Sequence, residues 1–231
     1  MENTVKQKDS FIQVVFKKLK QLGKFIVDDC IKLPAYILTH PLKGFEEFKR
    51  YKKGKMSVAI LFVVLTIFVN ILKFQYDGFL VNDNNIKDLN TLAQVAYVAG
   101  AVVVVTIGNW AVTTLFDGKG KLGQVYMGTC YALAPYPLIQ FPLMIFSNFV
   151  TVDEVGFYNM INVVSLVWAV FLIIFAMQQI HEFGPGKNIL FTIASIFAML
   201  VILFILMLFF SMISQGIAYF ISLGKELLFR L

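Results

Sequence analysis

Two histidines (His40, His181), two cysteines (Cys30, Cys130) and the adjacent acid pairs Glu46-Glu47 and Asp153-Glu154 are the side chains with which this sequence could do chemistry. Hydrolysis or group transfer needs a nucleophile beside a base, carboxylates facing one another, or a metal cluster. Neither histidine stands at metal-ligand spacing from a cysteine or carboxylate set, and acids adjacent on a chain do not face each other across a substrate. Gly118-Lys119-Gly120 resembles a phosphate loop only superficially. It lacks the Gly-x-x-x-x-Gly-Lys-Ser/Thr spacing and follows a helical run, not a strand, so it reads as a tight turn. Cys30 and Cys130 read as packing residues. The expectation is a protein with no catalytic residue, no metal and no cofactor.

The elements that must position these residues are set by composition. The 231 residues are 58% hydrophobic and 15% charged, with 24 Phe and a mean hydropathy of +0.76, which excludes a soluble or disordered chain. A helix crossing the hydrocarbon needs about 20 apolar residues, because only then is every backbone group bonded internally. Five runs qualify, over 56–74, 91–116, 125–150, 158–180 and 189–213. The fold class expected is all-α, a polytopic membrane protein of five spans.

Residues 1–55 hold 13 Lys and Arg against 6 Asp and Glu, a local +7, while the rest of the chain balances at −1. Positive charge stays on the cytoplasmic side, so the N-terminus is expected inside and the C-terminus outside. Within this first segment, Phe11, Ile12, Val15, Phe16, Leu19, Leu22 and Ile26 recur at three- and four-residue steps opposite Lys17, Lys20 and Lys24. That pattern predicts a basic amphipathic helix in the inner interface, its lysines on anionic lipid headgroups. A second short helix is expected from Pro41. No nucleic-acid module accompanies the charge, and no nucleic-acid partner is expected. Residues 214–231 mix apolar and charged positions and read as an external amphipathic tail.

No charged residue falls inside a span; Lys73 lies at the end of the first, where it can snorkel, and His181 at the end of the fourth. One stretch stands out: Asn109-Trp110, then Thr113-Thr114-Leu115-Phe116-Asp117-Gly118-Lys119-Gly120, then Tyr131-Ala132-Leu133-Ala134-Pro135-Tyr136. Trp110 suits an interface anchor, and the threonines can bond back to their own helix or across to the third span. Ala96 and Gly100 offer a small-xxx-small surface for close helix approach. Pro135, Pro137 and Pro142 interrupt the third span, as a kink or as a broken helix at a binding site.

On these residues the sequence resembles the Yip1-domain family of five-span membrane proteins, in particular its bacterial members, over roughly residues 35–213. His40-Pro41 and Phe45 are similar to that family's entry to the first span. The resemblance implies a non-enzymatic accessory or scaffold protein of the cell membrane. Its partners would be the lipid bilayer and a membrane protein, such as the permease subunits of a carbohydrate ABC transporter, or further copies of itself. Two alternatives are a small neutral-solute permease using the third span and a lipid-binding, membrane-shaping protein.

Overall fold

In a computed structural model, residues 25–82 and 84–230 are described. The chain begins with two helices too short to span. α1 (Phe25–Lys32) is wound with π-helical geometry and runs into α2 (Leu33–Thr39). His40 then opens the backbone and Pro41 starts α3 (Pro41–Arg50), because proline's missing N–H costs nothing in a first turn. The predicted interfacial helix, with Lys17, Lys20 and Lys24, lies outside the described residues.

Among the described residues, five helical stretches are long and apolar enough to cross a membrane: Met56–Tyr76, Thr91–Leu115, Leu122–Ser147, Val152–His181 and Pro185–Glu226. They correspond to α4 (Met56–Tyr76), α5 (Thr91–Leu115), the pair α6 (Leu122–Ala132) and α7 (Pro135–Ser147), α8 (Val155–His181) and α9 (Pro185–Arg230). Among the described residues there is no strand, and the fold is all-α and polytopic. Short connections alternate the spans, so α2, α3, the α5–α6 turn and the α8–α9 corner share one end of the bundle, hereafter the hairpin end. The 77–90 and 148–154 connections share the far end.

The third span is less interrupted than its prolines suggest. Leu133 and Ala134 keep right-handed helical dihedrals. The N–H groups of Ala134 and Tyr136 bond three residues back, to the carbonyls of Tyr131 (3.2 Å) and Leu133 (3.0 Å). Pro135 therefore tightens the helix into a 3₁₀-like joint, and Pro142 is carried inside α7 without ending it.

Close helix approach is also placed elsewhere. A Cβ added at Gly100 would meet nothing within 4 Å and Ala96 is exposed, whereas one at Gly108 would lie 2.6 Å from Met199 Cγ and one at Gly128 would lie 2.3 Å from Ile180 Cδ1. The small-residue seams thus join α5 to α9 and α6 to α8, which gain packing that lipid would otherwise supply. α9 continues from its span through residue 230 without a break, so residues 214–230 extend the same helix.

The main core, at the hairpin end, gathers Phe45 and Phe48 of α3, Phe62 of α4, Tyr131 of α6, and Leu172 and Ile180 of α8. A smaller cluster of Leu143, Val150 and Tyr158 fills the far end. Both cysteines are free, Cys130 fully buried and Cys30 partly so.

Candidate functional site

The last turns of α5 explain why the Asn-Trp-x-x-Thr-Thr run is helical despite its polar content. Thr113 Oγ1 donates to the Asn109 carbonyl (2.7 Å) and Thr114 Oγ1 to the Trp110 carbonyl (2.6 Å). Both hydroxyls return to their own helix. The helix stops where Asp117 enters the left-handed region (φ 60°) and the Gly118 N–H closes on the Thr113 carbonyl at 2.8 Å. α8 stops in the same way, with Glu182 at φ 57° and the Phe183 N–H on the Gln178 carbonyl at 3.1 Å. Each is a Schellman-type stop made without glycine at the left-handed position.

The two stops face each other across His181. A Cβ on Gly118 would lie 2.6 Å from the Thr113 carbonyl oxygen and 2.8 Å from His181 Nδ1, and one on Gly120 would lie 2.7 Å from both His181 Cε1 and Ile180 Cγ2. Neither glycine has a positive φ. Space, not backbone freedom, is what the turn requires of them.

His181 is 1% exposed. The Gly120 N–H donates to its Nδ1 at 3.3 Å. A ring nitrogen that accepts carries no proton, so the proton sits on Nε2, which donates to Asn109 Oδ1 at 3.1 Å. Asn109 Nδ2 then donates to Ser195 Oγ (3.2 Å), whose hydroxyl donates to the Phe191 carbonyl (2.7 Å). One relay of neutral bonds thereby ties the turn, α5, α8 and α9 together. Both imidazole nitrogens are committed to it, which leaves His181 no lone pair for acid–base work.

A charged layer lies outside this relay. Glu182 accepts from Lys49 Nζ of α3 at 2.8 Å and from Lys119 Nζ of the turn at 2.7 Å. Hydrogen bonds from Lys119 and then Lys49 hold the Glu182 carboxyl down at about 2, and the same carboxylate raises the Lys119 ammonium above its ordinary value. Beneath it, Tyr131 is fully buried; its hydroxyl accepts from the Lys55 N–H (3.2 Å), and its ring meets Phe48 and Phe62 edge-on at 5.0 and 5.7 Å.

The structure thus brings Asn109, Thr113, Gly118, Lys119 and Gly120 around His181. Trp110 is half-buried, packed against the adjoining core. Phe116 stacks on Phe191 at 5.1 Å, and Asp117 is exposed. Pro135 and Tyr136 do not join this group: the Tyr136 hydroxyl donates to Asn70 Oδ1 at 2.7 Å, further along the bundle. Lys73 does not snorkel but turns inward, its Nζ donating to Gln140 Oε1 at 2.6 Å.

His181, Glu182, Lys49 and Ser195 escape a reading by motif. The available signal is the polar run Gln178-Gln179-Ile180-His181-Glu182 at a span terminus, but its partners lie on other helices. Among the described residues, no group of three or more His, Cys, Asp or Glu could hold a metal ion.

No curated protein and no solved structure matches this chain. The family model described as the Yip1 domain matches residues 35–214, a stretch that contains α3, the α5–α6 turn, the α8–α9 corner and the spans as far as Ser214 of α9. With five spanning helices and that match, the chain is an integral membrane protein belonging to the Yip1-domain family.

Proposed function

We propose that the protein works by binding, as a non-catalytic scaffold that docks a membrane-protein partner at its hairpin end. The observation that carries this reading is the division of labour within the turn. Asn109, Thr113 and the Gly120 N–H are bonded inward, while Leu115 (80% exposed), Phe116 (55%) and Leu122 (44%) stand exposed in the same stretch as the exposed Lys119. A rigid turn that presents apolar side chains with a basic rim has the make-up of a protein contact. Permease subunits of an ABC transporter are the partner version to test first, with the N-terminus cytoplasmic as its positive charge directs. On the same reading, Lys17, Lys20 and Lys24 hold the N-terminal segment to anionic lipid headgroups.

The test is mass spectrometry of what copurifies with the tagged protein from native membranes in mild detergent. Leu115→Ser with Leu122→Ser is the comparison, since both side chains are exposed and, unlike Phe116 with its stack on Phe191, make no ring contact to α9. Stoichiometric transporter subunits that disappear in the double variant support the reading. A protein that comes out alone or only as a homo-oligomer, or partners unaffected by the double variant, overturns it.

A further inference from the structure

At the far end, away from the hairpin, a cavity of about 330 Å³ opens among α4, α5 and α8. Its wall includes Asn70, Lys73, Asp77, Gln94, Tyr158 and Asn162. The bonding directions of these groups are set by one residue. Lys73 is an ammonium that can only donate, and it is largely withdrawn from solvent, its side chain 13% exposed. Gln140, fully buried, must therefore turn its carbonyl oxygen to Lys73 (2.6 Å) and its amide N–H to Asn162 Oδ1 (2.7 Å). Asn162 Oδ1 also lies 3.5 Å from Lys73 Nζ.

The consequence reaches the cavity. The Asn162 oxygen faces protein, so its NH₂ end is the one left over. Asn70 is placed alike, its oxygen accepting from Tyr136. Among the described residues no buried side-chain polar atom lacks a partner, so these amide ends are reached from the cavity instead of being sealed in the wall. Asp77, the one carboxylate here, is occupied: Oδ2 accepts from the Tyr158 hydroxyl (3.0 Å) and lies 3.8 Å from Lys73 Nζ, and Oδ1 lies 3.4 Å from Ser147 Oγ. Around Lys73 the wall therefore offers the Asn70 and Asn162 N–H donors beside an ammonium, while Asn84, Gln94 and Asn159 line the rest of the cavity with further amides.

We propose that this cavity binds an acceptor-only oxyanion of the phosphodiester or phosphate kind. Asp77 offsets the charge of Lys73, which favours a singly charged group over a multiply charged one. Oxygens of such a group would take the Asn70 and Asn162 N–H bonds and a Lys73 N–H, as charge-assisted bonds. Two sources share this chemistry: the headgroup of a lipid beside α4 and α8, and free phosphate.

The experiment uses the full chain purified in a phosphate-free sugar detergent. Thermal stability is followed while inorganic phosphate is titrated in one arm and short-chain phosphatidylglycerol in the other. Asn162→Asp and Asn70→Asp are the variants, because each keeps the oxygen that faces protein and replaces the cavity-facing NH₂ with an oxygen. Stabilisation by either probe, weakened roughly tenfold or more in both variants, is the expected result. Response to the lipid alone assigns the site to a headgroup, and response to phosphate alone assigns it to the free ion. No stabilisation by either probe, or equal stabilisation of the variants and the parent, overturns the proposal. If one variant fails to fold, the other decides.

Discussion

Asp117 and Gly120 stand three residues apart in one turn for different reasons. Gly120 is there because nothing larger fits against His181 and Ile180. Asp117 is there for its backbone, a left-handed stop that aspartate tolerates better than most residues and glycine better still. Gly120→Ala should therefore cost about 1–3 kcal/mol through overpacking, read as a lower midpoint of thermal unfolding in detergent. Asp117→Gly should leave that midpoint unchanged or slightly raised, and Asp117→Val should lower it. An Asp117→Gly loss as large as the Gly120→Ala loss would show that the aspartate side chain itself matters to the bundle. The sequence marks this turn as special through its composition. It does not say which side chains act and which only make room, since that depends on His181, 61 positions away from Gly120.

Among the elements, α3 is the one whose role changes most between pattern and structure. Pro41 and the phenylalanines that follow predict a short helix, and α3 spans Pro41–Arg50. Its packing was not legible: Phe45 and Phe48 enter the core beside α6 and α8, and Lys49 reaches Glu182. Because the folded carboxyl of Glu182 is held at about 2 against an ordinary 4.5, its contribution is complete above the ordinary value. It fades as pH falls from about 4.5 toward about 2. Glu182→Gln should thus lower thermal stability at about pH 7 in low salt, with the difference from the parent closing in acid. The carboxylate is exposed, so about 1 M salt should shrink the same difference. A gap that persists unchanged through acid and salt would rule out the ion pairs as its source.

At the scale of the whole molecule, α9 sets the shape. Its 46 residues make a rod of about 69 Å, more than twice the roughly 30 Å of hydrocarbon. Among its described side chains, Asn188 and Ser195 are the buried ones, and nearly all those beyond Ile202 are exposed. Ending the chain after Ile213 should accordingly change bundle stability by no more than about 0.5 kcal/mol. Ending it after Ile193 removes Ser195 and with it an acceptor for Asn109, and should destabilise the hairpin end markedly. Thermal unfolding of the two truncated chains in detergent checks both outcomes. Equal losses would mean that the distal half of α9 supports the bundle in a way its exposure does not reveal.

Sequence alone determined the class of this protein: five spans, helical because hydrocarbon offers no partner for a free backbone group, with boundaries right to a few residues and α9 the exception. The tight turn and the family were also legible, since both rest on residues adjacent in the chain. Tertiary structure alone decided which neutral polar residues bond to which, that Lys73 points inward, and that a terminal histidine is the hub of the hairpin end. Local periodicity reports whether a side chain prefers lipid or protein. A hydrogen bond between spans depends on the depth, rotation and spacing of two separate helices, and these are set only when the whole bundle packs.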